Sequence, residues 1–421
     1  MSGTVTWGDA LWLARHRTPN DRLRFWGSAV SSAVAAALLC TAGGLVALGG
    51  DFAVSQLGVV AEPGTRVGVI IAVLLVALPG IHLTGQTWKL GSVERRQRMV
   101  QLRDAGAGSG ELRRVAMADT VVPVGLGAAA GVALLGVVLA LLNVRRAWVP
   151  VVRVEGDVLV SNGSKGYVAS LELVPNVTIV SWWPPLLAIA VVTALAAFGA
   201  ARSVRRIDRP ARQARTLVGS TASLLARGTG RPALLLALRR IAQEPRATTR
   251  PALLLGLAAF VAGVSTWLSA IFLASTNGYD DFYRQAFGLV RAATWVGVGL
   301  CALGLIVTLT DAALRRRRDD AVALAGGVPM AALRRAVVLQ AMLPAVLPVS
   351  LGLIFGGWMG YALTGPRATG EDPGSGDVVP LPWLAWAGWG VGIMLVAVIA
   401  ALIASTALRR TTQVDQLRVP A

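Results

Sequence analysis

The sequence predicts an all-α polytopic membrane protein: eight transmembrane helices set out as two parallel four-helix repeats, with small extracellular loops. Three observations predict it. The 421 residues are 55% hydrophobic and only 15% charged, with mean hydropathy +0.62, where a soluble domain carries about 25% charged residues. The charges collect in a few blocks between apolar stretches, most of them long enough to cross a hydrocarbon core. The basic blocks also recur at a fixed interval along the chain.

The apolar stretches lie at roughly 26–49, 67–88, 120–143, 181–201, 251–274, 292–310, 336–364 and 382–408. Of the 40 Lys and Arg residues, thirty-two fall in alternate connecting segments if the N-terminus is cytoplasmic. These segments hold Arg15 to Arg24, Lys89 to Arg114, Arg202 to Arg250, Arg315 to Arg335, and Arg409 to Arg418. That bias is the positive-inside rule. It accounts for the net charge of +18 without nucleic acid, and it places basic residues where anionic membrane lipid attracts them. Both termini are expected in the cytoplasm, in a plasma membrane. Cys40 and Cys301 lie in apolar spans and suggest neither a disulfide framework nor a metal site. The segment before the first span is too polar, and the apolar run after it too long, for a cleavable signal.

One fixed shift, which lays Gly106 on Gly327, brings the two halves into register. Arg95-Arg96 then meets Arg316-Arg317, and Leu112-Arg113-Arg114 meets Leu333-Arg334-Arg335. Pro123 meets Pro344, Gly131 meets Gly352 and Gly136 meets Gly357. Each copy opens with a short amphipathic segment, at 7–17 and 231–242, expected to lie in the membrane interface. Four spans per copy is an even number, so the copies share one orientation. The units are 1–202 and 231–421, joined by a basic linker at 203–230. The largest outer loop, 144–180, alternates enough for a small β-hairpin with its turn near Asn162-Gly163.

These residues resemble the FtsX-like permease family, the membrane subunits of type VII ABC transporters. The resemblance rests on RRQRMVQLRDAGAGSGELRR at 95–114 and RRRRDDAVALAGGVPMAALRR at 315–335, each a basic run, a glycine turn and a short basic helix leading into a span. It covers about 90–143 and 310–364; the remaining spans fit by order. The chain departs from many members in having a short first outer loop, about 50–66, and Leu324-Ala325-Gly326 where the first copy has its Leu-Arg pair. The resemblance implies a permease with both halves in one chain, bound to a dimer of separate ATPase subunits.

No G-x-x-x-x-G-K-[ST] phosphate loop occurs, so ATP and Mg are expected in the partner ATPase, with no cofactor, metal or catalytic residue in this chain. The segments 95–114 and 315–335 are the candidate ATPase-coupling handles. Gly106 and Gly327 permit the turn, and Ser109 is expected to cap the helix that follows. Leu112 and Leu333 are read as apolar knobs, and Arg113, Arg114, Arg334 and Arg335 as charges offered to an acidic rim. No Asp, Glu, Lys or Arg is expected well inside a span, which disfavours ion-coupled transport. His82 is expected to be packed or interface-facing, and Asp311 to pair with Arg315 one turn on. Trp182, Trp183, Trp383, Trp386 and Trp389 are expected as interfacial anchors. The leading reading is export or extraction of a hydrophobic peptide, antibiotic or lipid. The rivals are a regulatory permease acting on an extracellular cell-wall or signalling partner, and a secondary transporter. The Ala-, Arg- and Gly-rich composition points to a bacterium. The substrate-binding residues are unknown from sequence.

Overall fold

Long apolar runs interrupted by charged blocks fold as long helices joined by short ones. A computed structural model describes Gly8, residues 19–48, 63–87, 92–143, 181–205, 217–275, 280–366 and 378–411, and four short strands between 147 and 171. Among the described residues there are twelve helices: α1 (Pro19–Ala47), α2 (Pro63–Thr87), α3 (Ser92–Asp104), α4 (Ser109–Leu142), α5 (Trp183–Arg205), α6 (Leu217–Arg227), α7 (Pro232–Gln243), α8 (Pro245–Ser275), α9 (Asp280–Arg315), α10 (Arg317–Ala325), α11 (Met330–Thr364) and α12 (Trp383–Thr411). Four of them begin on a proline, where a missing N–H costs no hydrogen bond and the fixed φ suits the first turn. Eight (α1, α2, α4, α5, α8, α9, α11 and α12) are long and apolar enough to cross a membrane. The N-terminal amphipathic segment lies outside the described residues apart from Gly8.

The helices form two bundles. In the first, α1 packs on α2, α4 and α5, and α4 packs on α5. In the second, α8 packs on α9, α11 and α12, and α12 also packs on α9 and α11. The bundles meet mainly through α2 and α9, where Val76 and Leu83 of α2 and Leu300 of α9 are buried together. The tightest packing is backbone to backbone. A Cβ added to Gly131 of α4 would collide with the Ala33 carbonyl of α1, and one added to Gly352 of α11 would collide with the Gly256 carbonyl of α8. Small residues allow helices to approach this closely where no hydrophobic effect drives them together.

The structure adds detail to several sequence expectations. The stretch read as a linker, 203–230, contains α6, whose Ala222 packs with Leu238 and Ile241 of α7. The helix carrying span six begins at Asp280, so Arg284 and Arg291 lie on α9 and not in an outer loop. Arg66, near the start of α2, is only 2% exposed. The outer loop does pair as strands, with β1 (Ala147–Pro150) antiparallel to β4 (Val168–Leu171) and β2 (Arg153–Glu155) antiparallel to β3 (Val158–Val160). Asn162-Gly163, expected at the turn, lies outside the described residues.

Candidate functional site

The two glycine turns have the same backbone chemistry. Gly106 has φ 95° and Gly327 has φ 89°, a left-handed conformation that a side chain disfavours. After α3, the Gly106 N–H donates to the Arg103 carbonyl at 2.9 Å and the Ala107 N–H to the Leu102 carbonyl at 3.0 Å. After α10, the Gly327 N–H donates to Leu324 and the Val328 N–H to Ala323, both at 3.0 Å. This double closure is the Schellman motif, which satisfies the last carbonyls of a helix and turns the chain sharply. Past each turn the backbone is extended, at Gly108 and at Pro329, and α4 and α11 start on the next residue. Glu111 accepts the Gly108 N–H at 2.9 Å. Ser109 is thus the first residue of α4 and not its cap. Sequence reading misses the capping carboxylate, although a Glu at the third helical position is its usual signal.

The residues singled out by sequence divide into two groups. Gly106, Ser109, Arg113, Arg114, Gly327 and Arg335 are exposed, and Arg334 is half-buried. Leu112 is 6% exposed and Leu333 is fully buried, so neither leucine is an outward knob. The reason is helical phase: Leu112, Val115 and Ala116 form one stripe against Met99 and Leu102 of α3. Nor is the handle a separate short helix. Arg113 and Arg114 sit in the opening turns of α4, which runs unbroken for 34 residues. At about 1.5 Å per residue, α4 is about 51 Å long, far beyond the ~30 Å hydrocarbon core. The α11 helix, at 35 residues, is its counterpart.

Ion pairs tie the basic end of the bundle together. Arg24 of α1 pairs with Asp119 of α4. Arg240 of α7 pairs with Asp320 of α10, their side chains 9% and 6% exposed. Arg315 contacts Asp311 at 3.0 Å, the pairing expected from sequence, and Glu244 at 3.5 Å. Arg316 lies 3.7 Å from Glu244. Burial pushes the Asp320 carboxyl above its ordinary range, while Arg240 and Arg316 draw it down. Burial likewise lowers Arg316. One Asp320 oxygen is buried without a hydrogen-bond partner, so this cluster combines strong pairing with incomplete satisfaction.

Polar contacts also cross the seam between the bundles. The Thr308 hydroxyl of α9 lies 2.8 Å from Gln86 Oε1 of α2 and 2.7 Å from the Gly304 carbonyl. The Gln86 amide nitrogen is 2.6 Å from His82 Nε2. With its oxygen accepting from Thr308, Gln86 donates to His82 through nitrogen. His82 is half-buried on α2, facing this contact. The tryptophans are more integrated than anchors alone. Trp182 and Trp383 are 77% and 62% exposed, but Trp386 is buried, and Trp389 stacks on Trp295 at 4.8 Å.

Eight membrane-length helices packed in two bundles are the architecture of a polytopic membrane protein. Residues 291–413 match the family model of the FtsX-like permease C-terminal domain, so this part of the chain is similar to that domain. The match spans most of α9 through α12 and includes the 315–335 segment; the corresponding 95–114 segment lies outside it. No match is found among curated proteins, and none among solved structures.

Proposed function

We propose that this chain forms the membrane portion of an ABC transporter, carrying both four-helix units and binding one ATPase subunit at each glycine turn. The observation that carries the reading is the paired geometry at Gly106 and Gly327. Both turns are Schellman-capped, and each feeds a helix of 34 or 35 residues that crosses the bundle. An ATPase that grips such a turn moves a rigid rod directly joined to a membrane span. In this reading residues 1–202 and 231–421 are the two units, and α6 belongs to the connection. ATP and Mg reside in the partner, whose dimer closes and draws the bundles together through the α2–α9 seam.

The cargo is a hydrophobic peptide, antibiotic or lipid, exported or extracted from the plasma membrane of a bacterium. Two features support an apolar cargo. The seam holds an apolar recess between α2, α8 and α9, lined by Leu75, Val76, Leu257 and Val261 among others. The polar contact that crosses the same seam, Thr308 to Gln86, joins uncharged groups. Charge reversal tests the handles: R113E/R114E and R334E/R335E are each expected to release ATPase subunits from an otherwise folded permease. ATPase retention by both variants contradicts the docking assignment.

A further inference from the structure

A second cavity at the bundle seam belongs neither to the turns nor to the apolar recess. It measures about 270 Å³ and is lined by Ile81, His82, Thr84, Gly85 and Gln86 of α2, Val192 and Leu195 of α5, and Arg250 of α8. At ~30 Å³ per water in the liquid, this is room for about nine waters. The lining joins the two bundles, because α2 and α5 belong to the first and α8 to the second.

Its chemistry is divided. No carboxylate lines it. Arg250 supplies a fixed positive charge, and among the described residues no acidic side chain pairs with it. His82 and Gln86 add polar nitrogen, already linked to one another at 2.6 Å. The opposite side is aliphatic, from Ile81, Val192 and Leu195. Leu195 is 44% exposed, and Leu253, one turn beyond Arg250 on α8, is 63% exposed. Such side chains on a membrane-crossing helix face acyl chains.

The depth is also defined. Thr84 to Gln86 are the last residues of α2 before its end at Thr87, and Arg250 stands in the second turn of α8. The cavity therefore lies at the basic end of the spans, where headgroup and acyl chain meet. A cationic, acid-free cleft between helices at that level attracts an anionic headgroup, and its aliphatic wall suits the first carbons of a tail.

We propose that this cleft binds one anionic phospholipid, its phosphate on Arg250 and its acyl chains along Leu195 and Leu253. The site spans both bundles, so its occupant contacts the two parts that an ATPase is proposed to move. The assignment does not depend on that proposal, because binding is measured without ATPase.

The full-length chain, purified in a non-ionic detergent, is titrated with phosphatidylglycerol and followed by native mass spectrometry. Parallel titrations use phosphatidylcholine of the same chain length and inorganic phosphate. One phosphatidylglycerol is expected to remain bound per chain, and R250Q is expected to weaken it at least about fivefold, as for loss of a charge-assisted hydrogen bond. L195W, which fills the cleft from its apolar side, weakens the same lipid. R239Q, which removes a charge on α7 that does not line the cleft, leaves it within about twofold. Unchanged binding in both R250Q and L195W overturns the site. Equal loss in R239Q shows general surface attraction and also overturns it. Displacement of the lipid by inorganic phosphate at equal concentration would identify a free-anion site and reject the phospholipid.

Discussion

Met99 and Asp320 stand at equivalent places, each seven positions before its turn glycine and each buried, yet Met99 packs among apolar side chains and Asp320 pairs with Arg240. One fold position is thus filled by a thioether in the first bundle and by a carboxylate in the second. Breaking a buried pair leaves an uncompensated charge and costs about 3–5 kcal/mol, whereas replacing both partners by apolar groups is often neutral. D320M and R240M are each expected to be strongly destabilised, and R240M/D320M to recover most of the loss. Thermal unfolding in detergent reads this directly; a double variant no better than the singles refutes it.

Asp320 also sets a pH dependence. Burial raises its carboxyl above the ordinary value of 3.8, a larger influence than the lowering by Arg240. The folded state therefore holds this proton more tightly than the unfolded chain. Its contribution to stability is fully present below about pH 3.8 and is lost as pH rises through the raised folded value. Denaturation followed upward from below that pH is expected to show this decline, reduced in D320N. An identical slope in D320N removes Asp320 as its source.

At the turns, backbone conformation alone sets the cost of a side chain. Nothing lies within 4 Å of a Cβ built on Gly106 or Gly327, but both have positive φ. G106A and G327A are expected to lose about 1–2 kcal/mol each, the cost of a left-handed L-residue. The measurement is denaturant unfolding of each variant. An unchanged midpoint means that the left-handed turn is not required.

Two neighbouring residues on α11 separate packing from docking. L333A opens a fully buried site and is expected to cost about 2–5 kcal/mol. R335A changes an exposed residue and is expected to alter stability by no more than about 0.5 kcal/mol while reducing ATPase capture. Comparing unfolding midpoint with ATPase pull-down for both variants checks the division. Loss of capture only in L333A would place the docking surface elsewhere.

The membrane helices are legible in the sequence because long apolar runs are a strong, local signal. The glycine turns are legible because Gly106 and Gly327 sit in similar local sequence. Four features stay hidden for physical reasons. The continuity of α4 is masked by Glu111, Arg113 and Arg114, whose polarity cuts the hydropathy signal without interrupting the helix. The burial of Leu112 and Leu333 depends on helical phase against neighbours, so a leucine beside arginines reads as outward when it points in. The Arg240–Asp320 pair joins residues 80 positions apart, which no local pattern connects. The cavity at Arg250 likewise needs three helices, one of them from the other bundle.

The most direct test is the composition of the native complex. The tagged chain is solubilised from its own membranes, and the mass of the intact assembly is measured with its vanadate-sensitive ATP hydrolysis. The account predicts two ATP-binding subunits for each copy of this chain, with hydrolysis abolished by vanadate. An assembly without an ATP-binding subunit, whose transport vanadate leaves untouched, would contradict it.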